Sequence, residues 1–463
     1  MRIERDMVGS LELDENVYYG LQSVRAKENF HITGRKQSKR FTSSLAQIKK
    51  AAALVNCEHG NLPAHIRDAI VQACDEILAG QFADQFITDP IQGGAGTSYN
   101  MNMNEVVANR AIEILGGQKG DYTVVHPNDH VNMSQSTNDV IPTAGKMTVL
   151  KLMEGLIEQM ERLSAALGEK EKEFDHILKM GRTQMQDAVP IRLGQEFGAY
   201  RSMVERDLVR MKRFPDELKY VNMGGTAIGT CINADPEYVK NIVPVLSEVS
   251  GLNLEAAPNL IDATQNVDCF VAVSGALRVA ALNLSKMSND LRMMSSGPRT
   301  GFHEINLPPR QNGSSIMPGK VNPVIPEVVS QVAFNIVGND VTIAMAAEAG
   351  QLELNAFEPV IFYNLFESIK SLTGAVRTLV DNCITGITAN EDHCADYANK
   401  SVGIITALCP YIGYTLAADI AKTAIRENTS VRDELIARNI LTAEELDRYL
   451  NPYAMTGGTD NAQ

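Results

Sequence analysis

Apolar residues along this chain recur with helical spacing in long blocks. Val149, Met153, Leu156, Met160, Leu163 and Leu167 advance in steps of four and three and line one helix face. Phe270, Val273, Leu277, Ala280, Leu284, Met287 and Leu291 repeat the pattern, as do Phe362, Leu365, Ile369, Leu372, Val376 and Leu379. Leu193, Phe197, Tyr200, Val204, Leu208 and Met211 form a fourth stripe. A helix of ~25 residues runs close to 40 Å, longer than a compact single-layer domain requires. Pro326 to Ala349 is apolar or small nearly all round, which predicts a helix at the centre of a bundle or between subunits. Strand signals are sparse and no internal repeat is visible. The pattern predicts a mainly α protein with an N-terminal mixed, mainly helical domain over 1–140. A central long-helix bundle over 141–395 and a small C-terminal helical domain over 396–463 follow. The polar tail TGGTDNAQ is expected to fray.

Composition narrows the function classes. The 463 residues are 44% apolar, enough for a large core, and carry a formal net charge of -14. That balance disfavours nucleic acid and anionic membrane as partners. A small anionic substrate would need local cations to overcome the field. The N-terminal MRIERDMVGS is charged from its second residue, and no apolar run approaches the ~20 residues of a span. Neither signal peptide nor anchor is expected, and the location expected is cytoplasmic. The seven cysteines lack CxxC spacing, which fits reduced, buried thiols better than disulfides or zinc. His126 and His130 in HPNDHVN sit four apart, but Pro127 interrupts a helical pair, so no metal site is expected.

Between the helical blocks lie five polar segments marked by glycine or proline: GGAGTSYNMNMNE (93–105), SQSTNDVIPTA (134–144), GRTQMQDAVP (181–190), GGTAIGT (224–230) and GSSIMPGKVNP (313–323). Four of them combine Ser, Thr or Asn with Gly, supplying hydroxyl, amide and bare backbone donors suited to carboxylates. Helix capping is the simpler reading of any single segment, and Ser136, Thr137, Asn138 and Asp139 all suit an N-cap. Five such segments interleaved with long helices point to a shared site. Lys320 supplies a cation where Gly313 and Gly319 allow the backbone to bend inward.

GSSIMPGKVNP resembles the signature of the aspartase/fumarase superfamily. YYGLQSVRAKENFHITG, GGAGTSYNMNMNEVVANRA, HPNDHVNMSQSTNDVIPTA, GRTQMQDAVPIRLGQEF and GQLELNAFEPV resemble the same family, so the likeness covers essentially the whole chain. GRTQMQDAVP and GQLELN are closer to aspartases (aspartate ammonia-lyases) than to class II fumarases, where a GRTH segment is expected. The resemblance implies a three-domain aspartase/fumarase-like fold, and a homotetramer with a 20-helix core whose active sites are each built from three chains. It implies cleavage of a C–N or C–O bond with release of fumarate, and no cofactor.

By that resemblance Ser314 is the base that takes the proton beside the substrate's β-carboxylate. Thr97, Ser136, Thr137 and Ser315 surround that carboxylate, while Lys320, Asn322 and Thr183 hold the other. Asn138 contacts the amino group, with Thr97 and Gln184 nearby. Gln184 stands where class II fumarases have histidine. Hydroxide benefits from a proton donor as it leaves, whereas an amine can depart as neutral ammonia, so glutamine favours deamination over dehydration. Glu327 occupies the position that pairs with the fumarase histidine, and no role follows for it beside Gln184. Dehydration of malate by a class II fumarase is the alternative activity.

Overall fold

A computed structural model describes residues 1–457; the tail from Gly458 onward lies outside the described residues. The described chain is mainly helical, and its strands form four two-stranded pairs. β1 (Arg2–Arg5) pairs antiparallel with β2 (Ser10–Leu13). Five helices follow: α1 (Leu21–Asn29), α2 (Lys39–Glu58), α3 (Ala64–Leu78), α4 (Thr97–Ile114) and α5 (Thr137–Glu173). An antiparallel hairpin of β3 (Leu178–Thr183) and β4 (Gln186–Arg192) leads into α6 (Leu193–Met211). Three further long helices span Asp268–Met294, Val324–Glu348 and Glu358–Asn382.

All four apolar stripes fall on helices with their stripe residues buried. Burying one such side chain fully is worth about 1.5–3 kcal/mol, which is why the stripe rather than intrinsic propensity secures these helices. The Asp268–Met294 and Val324–Glu348 helices are also long and apolar enough, by length and composition alone, to cross a membrane. For Val324–Glu348 the expectation is burial at the centre of a bundle or between subunits. Val329, Ala333, Ile336 and Ile343 are buried, whereas Phe334, Val341 and Met345 are 69%, 58% and 62% exposed. One chain therefore covers a single face of this apolar helix.

The chain divides into two compact units. The first comprises Met1–Ile157, Val209–Val279 and Phe334–Ser371. In it α2 packs on α3 and on the Pro236–Ser250 helix, and α3 packs on α4. Phe41, Tyr99, Phe362 and Phe366 form an aromatic cluster. Buried Glu105 accepts hydrogen bonds from the backbone N–H groups of Gly20, Gln22 and Ser23, closing the N-terminal turn of α1. Its removal from water pushes its pKa up to about 7 against those donors.

The second unit comprises Glu158–Leu208, Ala280–Ala333 and the chain from Leu372 onward. Its C-terminal helices have their own core of Ile404, Leu408, Ile420, Val431, Leu435 and Leu446. The β3–β4 hairpin carries a register shift between Met180 and Arg182, just before its tip.

Candidate active site

In the first unit, hydrogen bonds draw three of the five polar segments together. Ser136 caps α5: its Oγ accepts from the Asn138 N–H at 3.2 Å, while its own N–H donates to Asp139 Oδ1 at 2.9 Å. Asp139, fully buried, also accepts from the Gly224 and Thr226 N–H groups, both at 3.1 Å. Desolvation pushes the Asp139 carboxyl up to about 6, and the three N–H donors oppose it. Asn138 Nδ2 donates to the Ala227 carbonyl at 2.8 Å, which leaves Oδ1 as an acceptor. The contacts that cap α5 thus also tie the 134–144 and 224–230 segments together.

The 93–105 segment joins through α4. Gly96 precedes the helix with a φ of 86°, where an added Cβ would meet the Ile141 side chain at 3.0 Å. Thr97 is exposed at the first helical position, and its hydroxyl donates to the Gly94 carbonyl at 2.7 Å. One turn further, Asn100 Nδ2 lies 3.3 Å from Thr137 Oγ1. Thr97, Ser136, Thr137 and Asn138 therefore all belong to the first unit.

In the second unit, GRTQMQDAVP is a hairpin, not a loop. Gln184 and Met185 form its two-residue tip, with Thr183 paired to Gln186. Both tip residues take positive φ, 53° and 64°, a conformation normally given to Gly or Asn. Such strain is held by the surroundings and is characteristic of functional positions. Behind the tip, Arg182 Nη1 pairs with buried Glu304 Oε1 at 2.6 Å, and its guanidinium lies 4.3 Å from the Phe302 ring centre. Lys179 Nζ sits 2.9 Å from Glu304 Oε2 and 3.0 Å from Glu196. Gln184 lines a cavity of about 480 Å³ with these charged residues.

The 313–323 loop is stapled at its base and open above. The Gly313 N–H donates to the Lys320 carbonyl at 2.8 Å, and Asn322 Nδ2 to the Gly313 carbonyl at 2.9 Å. A Cβ at Gly313 would meet the Lys320 oxygen at 2.7 Å, so only glycine fits without a shift. Ser314 Oγ accepts from the N–H groups of Ile316 at 3.2 Å and Met317 at 3.0 Å. Two donors on one hydroxyl oxygen favour its charged, alkoxide form. Ser315 and Lys320 are exposed, and Ile316 is 84% exposed. Lys320 and Asn322 line a cavity of about 520 Å³ with Arg292, Ser296, His303 and Glu327.

Residues 9–338 match the family described as Lyase, and residues 404–457 match the Fumarase C C-terminus. The chain belongs to the aspartase/fumarase superfamily. Among relatives of this superfamily member, an aspartate ammonia-lyase of Bacillus subtilis is 55% identical, covering 98% of this chain and 96% of that protein. One from Helicobacter pylori is 52% identical, covering 98% of each. Two solved structures share the fold. A fumarate lyase:delta crystallin from Brucella melitensis, bound to cobalt, has a TM-score of 0.95 at 48% identity and covers 98% of this chain and 99% of its own. A class II fumarase from Schistosoma mansoni has a TM-score of 0.91 at 35% identity and covers 98% of each chain.

In this superfamily member Thr183, Gln184, Ser314, Ser315, Lys320 and Asn322 belong to the second unit. Within that unit Gln184 lines one cavity and Lys320 and Asn322 another. Glu327 Oε1 lies 3.9 Å from Arg292 Nη2. The imidazoles at 126 and 130 are engaged locally: His126 Nδ1 accepts from the Asn128 and Asp129 N–H groups, and His130 Nδ1 from the His126 N–H. Sequence reasoning missed Arg182, Glu304, Lys179 and buried Lys49. The only signal for Lys179 and Arg182 was a charge density unusual for a strand; Glu304 gave none, and Lys49 none beyond its place on an apolar helix face.

Proposed function

We propose that this chain is an aspartate ammonia-lyase that reversibly converts L-aspartate to fumarate and ammonia. The observation that carries the reading is 55% identity to an aspartate ammonia-lyase over nearly the full length of both chains. Gln184 at the strained hairpin tip supports it, because a carboxamide orients an amine without supplying the acid that departing hydroxide needs.

In the proposed reaction Ser314 breaks the Cβ–H bond. The electron pair passes into the adjacent carboxylate as an aci form, then returns to form the double bond as the Cα–N bond breaks and ammonia departs. The step is redox-neutral and asks for a base and anion donors. Thr97, Ser136, Thr137 and Ser315 would meet the charge that builds on the β-carboxylate, each donor worth about 3–4 kcal/mol by comparison with similar sites. Lys320, Asn322 and Thr183 would anchor the other carboxylate, and Asn138 the amino group. The N–H donors on Ser314 Oγ supply part of the positive potential a serine base needs, and Lys320, close in sequence, would add to it. Closure of the loop would cover Ile316 and Val321 and expel water.

The assembly we propose is a cytoplasmic homotetramer whose sites each draw on three chains, with the 1–140, 141–395 and 396–463 domain division. The uncovered Phe334, Val341 and Met345 on the Val324–Glu348 helix support it, since a second copy would bury them. The test is fumarate's ultraviolet absorbance with L-aspartate or L-malate as sole substrate. Fumarate from aspartate supports the reading; fumarate from malate alone makes the chain a class II fumarase, and silence with both leaves a non-catalytic scaffold.

A further inference from the structure

Lys49 is wholly buried on α2, yet its ammonium meets no carboxylate within ion-pairing distance among the described residues. It donates instead to three side-chain carbonyls: Asn100 Oδ1 at 2.6 Å, Asn132 Oδ1 at 2.9 Å and Gln135 Oε1 at 2.9 Å. An ammonium has three N–H donors and no acceptor, so this arrangement satisfies it and fixes which way each amide faces. Every amide must turn its oxygen to the lysine and its NH2 away. Gln135 thus donates to the Val131 and Met133 carbonyls, and Asn132 to the Gln135 carbonyl. Asn100 donates to Asn132 Oδ1 at 3.0 Å and to Thr137 Oγ1 at 3.3 Å.

The last contact reaches the candidate site. A hydroxyl that accepts from Asn100 cannot spend its proton there, so the Thr137 O–H is left to donate elsewhere. We propose that Lys49 and Asn100 are positioning residues that hold the Thr137 hydroxyl as a donor to the substrate's carboxylate. The inference rests on the reading of Thr137 given above. Burial pushes the Lys49 ammonium down to about 7 while the charge of Asp139 pushes back. The three side-chain carbonyls offset part of the cost of keeping that cation out of water. A role limited to tying α2 to α4 would be indifferent to the polarity of Asn100; the proposed role is not.

Asn100→Asp, measured with and without Thr137→Ala, separates the two, because on its own it also removes the donor to Asn132 Oδ1. An aspartate keeps an acceptor, now charged, for Lys49 and so preserves the buried cation's partner, but it cannot donate to Thr137 Oγ1. The Thr137 proton would turn toward it and away from substrate. Losing that one donor corresponds to roughly a hundredfold to thousandfold fall in kcat/KM for L-aspartate, as for comparable oxyanion donors. Lys49→Met should fall in the same range. Because both act through one hydroxyl, Asn100→Asp combined with Thr137→Ala should be no worse than Thr137→Ala alone. Folded Asn100→Asp enzyme with unchanged kcat/KM overturns the inference, as do losses that multiply in the double variant. Thr137→Ala with unchanged kinetics instead removes the site reading itself, and the inference with it.

Discussion

Glu304→Gln tests the account where its electrostatics are most exposed to failure. Glu304 has no solvent-exposed side-chain surface and faces two cations, Arg182 Nη1 at 2.6 Å and Lys179 Nζ at 2.9 Å. Those cations are themselves 15% and 4% exposed, so water cannot replace the lost partner. Breaking a buried ion pair by removing one member costs about 3–5 kcal/mol. Here Lys179 keeps Glu196 at 3.0 Å and Arg182 keeps its stacking on Phe302, which places the loss near about 3 kcal/mol. Urea unfolding followed by circular dichroism, with Glu196→Gln as the comparison, measures it. Glu196 is 23% exposed and shares its lysine, so its loss should be the smaller. The hairpin tip beyond Arg182 should also loosen, raising KM for L-aspartate. A Glu304→Gln variant within about 0.5 kcal/mol of the parent, the range of ordinary surface changes, would refute the reasoning. So would a larger loss for Glu196→Gln.

Ser314→Ala should keep its assembly state by light scattering and lose nearly all deamination, and normal turnover would remove Ser314 from the base role. Glu358 is buried, and desolvation raises its pKa well above 4.5, so its contribution to stability is full below about pH 4.5 and is lost as pH rises toward the folded value. The thermal midpoint of Glu358→Gln should therefore gain on the parent between pH 5 and pH 8, and a pH-independent gap would contradict this.

The helical architecture was legible because each stripe is a local pattern: Phe270 to Leu291 repeats every three or four residues, and every member is buried. The Ser136 region and the 313–323 loop were legible for the same reason, since caps, glycines and a lone lysine sit close in sequence. The hairpin was not. Gln184 and Met185 occupy left-handed positions without the Asn-Gly or Gly residues that announce such a turn, and what holds them includes Glu304, 122 residues from Arg182. Lys49 was hidden likewise, because its burial depends on amides 51, 83 and 86 residues away. Phe334 shows another limit: its pattern allowed burial within a bundle or between subunits without choosing, and one chain alone leaves it 69% exposed.

The central claim is that Thr137 and Ser314, which lie in different units of one chain, act on the same substrate in sites shared between chains. Complementation measures this directly. Thr137→Ala and Ser314→Ala proteins, each with only a small residue of activity alone, are unfolded together at equal amounts and refolded. If each site takes its two loops from different chains, random mixing restores about a quarter of the parent activity, the share expected in a closed symmetric assembly. Mixed assemblies shown by mass spectrometry to contain both variants, yet as inactive as either parent, would contradict the claim.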